Sequence, residues 1–239
     1  MNYLCIVPVF NEEERLSILL EEINKFKEKN EYVKFLIIDN GSNDKSNEII
    51  KKYNFNLITN KKNHGVGYAL IQGYKYAIKN KVDVLIHLAG NGKMKPDEIP
   101  NFIKMINQHN YDFVNGSRFL PNGNYKTNPL IRVLLIRILT KIISFLYRRR
   151  ITDATCGFRA FKCSVLANLI NYVDSAKYYT YRYEYYSLGK ILMNKNINFT
   201  EVPVTMDYKK KNYSKIRPII DWFPIIFGWL EALVDGKKF

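Results

Sequence analysis

The sequence predicts an α/β fold, with a mostly parallel central sheet covered by helices on both faces. Three observations carry this. Short β-branched runs alternate with longer segments of helical periodicity through the first half of the chain. The runs end in turns rich in Gly, Asn, Asp and Ser, where a strand gives way to a helix. Apolar residues make up 47% of the 239 positions and charged residues 25%, which fills a real core and excludes a disordered chain.

The elements follow in order. Tyr3–Val9 reads as a short apolar strand, and Asn11–Lys27 places Leu16, Leu19, Leu20, Ile23 and Phe26 on one helix face. Val33–Ile38 is a second strand running into IDNGSND, where Ser42 or Asn43 can cap the next helix. Asn56–Thr59 is a third strand, and His64-Gly65-Val66-Gly67 opens a helix reaching about Ile78. Val82–Leu88 is the fourth strand, Pro96 starts a helix through Met105 and Ile106, and Tyr111–Gly116 is the fifth strand. No internal repeat interrupts this βα rhythm.

After Arg118 the pattern changes. Pro129–Tyr147 is helical and apolar around most of its circumference, with Arg137, Lys141, Ser144 and Arg148 forming one narrow polar stripe. Charges recur too often for a membrane span, so two readings stand: a core helix with one wet face, or a helix lying in a membrane interface. Residues 216–239 hold only nine uncharged residues in a row, Trp222–Leu230, against the roughly 20 that a span needs. Their tryptophans, phenylalanines and closing lysines suit an amphipathic interfacial segment; packing on the domain or a dimer contact would suit them equally. The expected division is a domain over 1–215 and this appended segment.

Lys and Arg total 37 against 22 Asp and Glu, a net charge of +15, which favours anionic partners. The basic residues mostly flank apolar helices and the loops after strands, and no nucleic-acid motif occurs, so phosphorylated small molecules and acidic membranes outrank nucleic acid. Cys5, Cys156 and Cys163 show no metal spacing and read as buried thiols of a reducing compartment. The opening MNYLCIVPVFNEEE is too short in apolar length for a secretory leader.

Four segments fall at predicted strand C-termini, where open α/β sheets bind ligands: PVFNEE, IDNGSND, LAGNGK and NGSRF. With NHGVGYALIQGYKYA, TDATCGFRAF and EVPVTMDYKKKNYSK, they resemble the family-2 glycosyltransferases of the GT-A nucleotide-sugar transferase fold, especially the dolichyl- and polyprenyl-phosphate sugar transferases. The resemblance runs from about Tyr3 to Arg217, with the motifs in the family's order. It implies an inverting transfer from a nucleotide-sugar to a lipid phosphate or glycan, at the cytoplasmic face of a membrane. It further implies that Pro8, Phe10, Glu12, Ile38 and Asp39 line the base and ribose pocket. Arg118 would reach the donor phosphates, and Lys209 and Lys215 would close over them. Asp153 and Arg159 would sit by the acceptor, Asp153 as general base, with Glu184 a second acidic candidate. Against these roles stand a turn residue bonding local amides for Asp39, the lesser reading, and a buried acid paired with a basic neighbour for Glu184.

One motif departs from the family. The resemblance puts a metal-binding D-x-D where this chain has Ala89-Gly90-Asn91, and Lys93 stands where a metal-proximal Gln is common. Three explanations follow. Lys93, with or without Lys95, supplies the missing charge, leaving no need of a cofactor. Alternatively Mg²⁺ or Mn²⁺ still binds weakly through Asn91, Asp97 and the diphosphate. Or the chain binds a nucleotide-sugar without catalysis.

Overall fold

The computed structural model describes residues 1–125, 130–207, 220 and 222–235. Lys209 and Lys215, expected over the donor phosphates, lie outside the described residues. A seven-stranded sheet runs in the order β3-β2-β1-β4-β6-β5-β7. Its strands are β1 (Tyr3–Val9), β2 (Val33–Asp39), β3 (Asn56–Thr59), β4 (Val84–His87), β5 (Phe113–Ser117), β6 (Arg159–Lys162) and β7 (Phe199–Pro203). The helices are α1 (Glu13–Lys29), α2 (Ser46–Lys51), α3 (Val66–Lys79), α4 (Ile99–His109), α5 (Leu130–Leu146), α6 (Cys163–Val173), α7 (Arg182–Met193) and α8 (Trp222–Val234).

The sheet is mostly parallel, as expected: β3 to β2, β2 to β1, β1 to β4 and β5 to β7 all pair in parallel. Only β6 runs against both its neighbours, β4 and β5. That reversal has a geometric result. Arg159, the first residue of β6, falls opposite His87, the last of β4, and opposite Asn115 near the end of β5. The start of one strand and the ends of six others therefore share one edge of the sheet.

The chain's apolar periodicity explains the layers. One core cluster joins Cys5, Val7, Val84 and Ile86 to Leu16, Leu20, Phe102 and Ile106 of α1 and α4. The other joins Leu4, Ile6, Leu36 and Ile38 to α3, α6 and α7. The three cysteines are buried free thiols, in keeping with the sequence reading. Two local expectations are corrected. Pro96 opens a short 3-10 turn, Pro96–Glu98, before α4 begins. Ser42 and Asn43 do not cap α2, which starts after Lys45; they instead bond across to Asn11.

The H-G-V-G stretch has a packing reason. A Cβ at Gly67 would lie 2.0 Å from the Tyr178 carbonyl oxygen and 2.6 Å from that of Thr180. The N-terminus of α3 is thus pressed against the backbone that leads into α7. That backbone in turn carries α8. The α7–α8 seam is fastened by Lys177 and Arg182 on Glu231, at 2.6 and 2.7 Å, and by Lys190 on Asp235 at 2.8 Å. Tyr186 also donates to Asp235. The Tyr147 hydroxyl, just past α5, donates to the Trp229 carbonyl at 2.6 Å and brings α5 beside α8.

Gly67→Ala is expected to cost about 3 kcal/mol by forcing backbone apart. Gly73→Ala, whose Cβ would meet only side-chain carbons of Ile6 and Ile38, should cost less. Urea denaturation of the two variants tests that order, and equal losses would contradict it.

Candidate active site at the C-terminal edge of the sheet

The shared edge is built by strand ends tied to each other through backbone bonds. Asn40 N–H donates to the Val9 carbonyl at 2.8 Å, Asn60 N–H to Asp39 at 2.9 Å, and Gly90 N–H to Pro8 at 3.2 Å. Pro8, Phe10 and Glu12 are partly exposed there, beside partly exposed Ala89 and Asn91. Through the Gly90–Pro8 bond, the loop holding Ala89 and Asn91 lies against the end of β1, from which Phe10 and Glu12 lead into α1. Ile38 does not join them: it is wholly buried beneath α3, which corrects its expected place in the pocket lining.

Asp39 is held as a turn acid. Its carboxylate accepts from Ser42 N–H at 3.0 Å and from the Asn47 amide at 2.7 Å. Next to it, the Asn40 amide is used fully. It donates to the Asn63 side chain at 2.9 Å and the Gly65 carbonyl at 3.0 Å, and accepts from Asn60 at 3.0 Å. Asn60 and Gln72 complete this amide network by exchanging bonds of 2.8 and 2.9 Å. Sequence reasoning missed the network; the clustering of Asn and Gln around NGSND and TNKKNHG was its only signal.

The largest correction concerns Arg118 and Asp153. The Arg118 Nε donates to Asp153 Oδ2 at 2.7 Å and its Nη2 to Oδ1 at 2.8 Å, a bidentate pair. Arg118 Nη2 also reaches the Thr155 hydroxyl at 2.5 Å. The same carboxylate accepts from the backbone of Arg118 and Thr155. Arg118 is 2% exposed and Asp153 0%. Asp153 is thus buried beneath a cation rather than turned to an acceptor hydroxyl, and the Nε edge of Arg118 faces Asp153 rather than a donor phosphate.

Glu201 is a residue whose role sequence reasoning left unassigned. Its carboxylate accepts from Thr152 N–H at 2.6 Å, Asp153 N–H at 3.3 Å and the Asn115 amide at 3.1 Å. Burial raises its pKa, and these donors oppose the rise. It clamps the loop before β6, and the E-V-P motif was its sequence trace.

Arg159 and Glu184 do meet. Arg159 Nη1 donates to the Glu184 carbonyl at 3.2 Å and its Nε to Asn115 at 3.2 Å. The Glu184 Oε1 lies 3.2 Å from where a Cβ on Gly157 would stand, so the absence of a side chain at Gly157 opens space for this carboxylate. Burial raises the Glu184 pKa, with the Arg159 charge pulling against it. A partly buried acid held above the ordinary carboxylate range is suited to taking a proton. Behind it, His87 stacks on Tyr74 with ring centroids 5.0 Å apart, and neither of its nitrogens has a hydrogen-bond partner among the described residues. Burial first, then the Arg159 charge, pushes its pKa well down, so the imidazole is neutral at pH 7.

Two predictions follow from these charges. Asp153→Asn strands a buried guanidinium and should cost about 3–5 kcal/mol, whereas removing both charges, Arg118→Met with Asp153→Leu, should recover most of that loss in urea denaturation. Glu184 titrates above its unfolded value, so its ionised form works against folding once the pH exceeds the ordinary carboxylate range. Glu184→Gln should therefore raise the melting temperature at pH 8, and the gain should vanish as the pH falls through that range. A gain independent of pH would refute the assignment.

Comparisons with known proteins bear on the fold and the family. The chain is 28% identical over 250 residues to the UDP-N-acetylglucosamine–dolichyl-phosphate N-acetylglucosaminyltransferase of Methanococcus voltae, covering 97% of this chain and 96% of that protein. It is 24% identical over 220 residues to the polyprenol monophosphomannose synthase of Mycolicibacterium smegmatis, covering 89% and 80%. Its fold matches glucosyl-3-phosphoglycerate synthase from Mycobacterium tuberculosis, solved with Mn²⁺, UDP-glucose and phosphoglyceric acid, at TM-score 0.69 and 13% identity, over 97% of this chain and 79% of that one. The fold is therefore GT-A. The family model "Glycosyl transferase family 2" matches residues 4–170, and the chain belongs to that family.

Proposed function

We propose that the chain transfers a sugar from a nucleotide-sugar to the phosphate of a dolichyl- or polyprenyl-type lipid, working on a membrane surface. The observation that carries this is the near full-length similarity to a family member named for a dolichyl-phosphate acceptor. An acceptor phosphate oxygen attacks the anomeric carbon, the bond to the nucleoside diphosphate breaks, and the diphosphate leaves with the electron pair, inverting the centre. Pro8, Phe10, Glu12, Ala89, Gly90 and Asn91 flank the donor, with Asp39 shaping the turn beneath the base. An ionised phosphate needs no base; where the acceptor oxygen still carries a proton, or is a glycan hydroxyl, Glu184 receives it. Arg159 faces the acceptor's charge, and the Arg118–Asp153 pair positions the loop that delivers it. Lys209 and Lys215 are assigned to the departing diphosphate.

Two helix faces support the membrane setting. α5 buries Val133, Ile136, Thr140 and Ile143, and leaves Leu134, Ile138, Ile142 and Phe145 exposed, Phe145 at 82%. α8 exposes Phe223, Ile226, Phe227 and Leu230, Phe227 at 50%. Apolar surface on this scale marks a contact face, and the exposed Arg148 and Arg150 just past α5 add charge for anionic headgroups. No helix among the described residues is long and apolar enough to cross a membrane. We assign the appended segment 216–239 to this face and residues 1–215 to the transferase domain, with the cytoplasmic leaflet as its surface.

The test is transfer of labelled sugar from UDP-N-acetylglucosamine and GDP-mannose to polyprenyl phosphate in vesicles, read as solvent-extractable label. Label in the lipid phase supports the proposal. Donor binding without any transfer would favour a nucleotide-sugar-binding protein, the reading that the acid-free β4 loop invites. Phe145→Glu with Phe227→Glu should weaken sedimentation with anionic vesicles about tenfold or more while leaving the fold intact, because exposed apolar groups are exchanged for charge.

A further inference from the structure

We infer that Asn91 is a site of spontaneous chemical modification: its side-chain amide closes on the Gly92 nitrogen, loses ammonia and gives way to a carboxylate. The conversion is independent of the nucleotide-sugar reading above; its effect on nucleotide binding rests on that reading.

The pair Asn-Gly is prone to this reaction because glycine has no side chain to hinder its own nitrogen. The chain holds four such pairs, Asn40-Gly41, Asn91-Gly92, Asn115-Gly116 and Asn122-Gly123. Closure needs a nitrogen whose hydrogen is not engaged, an amide able to leave, and room for the ring. Three pairs lack at least one of these. The Gly116 nitrogen donates to the Phe158 carbonyl at 2.8 Å, and Asn115 is 0% exposed. The Gly123 nitrogen donates to the Leu120 carbonyl at 2.9 Å, and a Cβ on Gly123 would lie 2.6 Å from the Arg118 carbonyl oxygen. Asn40 is buried, and its amide nitrogen is bonded twice, to the Asn63 side chain and to the Gly65 carbonyl.

Asn91-Gly92 meets all three needs. Both residues are partly exposed. Among the described residues the Gly92 nitrogen has no acceptor. Gly92 sits at φ +67° with space around it: a Cβ there would find the Arg15 Cβ 4.0 Å away and nothing nearer beyond its chain neighbours. The Asn91 side-chain oxygen accepts from Lys93 N–H at 3.2 Å, which folds the side chain back across Gly92 and draws electrons from the carbon under attack. The turn is fixed at both ends. The Gly90 nitrogen donates to the Pro8 carbonyl at 3.2 Å, and the Lys93 carbonyl accepts from Asp207 N–H at 3.2 Å.

The steps balance with water alone. Hydroxide takes the Gly92 proton, the nitrogen bonds to Asn91 Cγ, and the bond from Cγ to Nδ2 breaks, releasing ammonia. Water then opens the ring at either carbonyl, leaving aspartate or, with the backbone rerouted through Cγ, isoaspartate. As folded, the loop from Leu88 to Pro96 carries no acid. Among the described residues no three His, Cys, Asp or Glu side chains gather to hold a metal. Conversion gives the loop its first carboxylate, between two fixed points at the C-terminal edge of the sheet.

Incubation of the full chain in warm buffer at pH 8, followed by peptide mapping that separates Asn, Asp and isoaspartate at all four pairs, tests this. Residue 91 should convert about tenfold faster, or more, than residues 40, 115 and 122. Asn91→Gln should abolish conversion there, and Gly92→Ala should slow it about tenfold, as hindrance of the nitrogen predicts. Thermal melts confirm that each variant folds. Persistence of Asn91, or conversion of Asn122 at an equal rate, overturns the inference. For the effect on binding, Asn91→Asp should weaken calorimetric affinity for UDP or GDP in EDTA about threefold to tenfold, through repulsion of the diphosphate. Equal affinity overturns that effect and leaves the conversion standing; failure of the native chain to bind either nucleotide overturns the donor reading instead.

Discussion

The paired charges of Arg118 and Asp153 hold the active edge together. The pair joins the end of β5 to the loop before β6, in a place where neither charge is solvated. Such a pair tolerates no loss of one member, since the survivor would be left in a low-dielectric site. Glu201 braces the same loop from β7, so three segments distant in sequence are locked before β6 begins. That lock sets where β6 starts, and so where Arg159 and Glu184 meet. Two of the most chemically suggestive residues in the sequence thus serve the site by fixing others.

The first half of the fold was legible because its signals are local. The Leu16, Leu20 and Ile23 spacing and the apolar runs of β1, β2 and β4 each report their own burial. β6 and β7 were not legible as strands: RAFK is four residues long, and FTEVP carries a glutamate and a proline. Their status comes from pairing partners far away, which periodicity does not encode. The site divides the same way. Residue types at strand ends pointed to one edge of the sheet, yet could not say which acid lies beneath a cation. Asp153 and Glu184 look alike in sequence; only the guanidinium lying on one of them, and the missing side chain at Gly157 beside the other, separates them. α5 was ambiguous for a related reason, because a helix apolar around most of its circumference does not declare which stripe the core takes.

The electrostatics of the edge share one theme. Positive charge is held by the fold: Arg159 by Asn115 and the Glu184 carbonyl, Arg118 against its acid. Negative charge is discouraged: burial lifts the pKa of Glu184 and Glu201. His87 stays neutral beside Arg159 and adds no further cation.

The seam between α7 and α8 limits how the chain can sit on a lipid surface. Peeling α8 away would strand Lys190, only 3% exposed, without Asp235, and would unseat Tyr186 and the Trp229 carbonyl together. The helix therefore cannot be spent as an anchor thrust into the bilayer. On the lipid surface proposed above it would present only its outer half, and α7 with its Glu184 would move with it. How far α8 entered the lipid would then fix how high that acid stood above it.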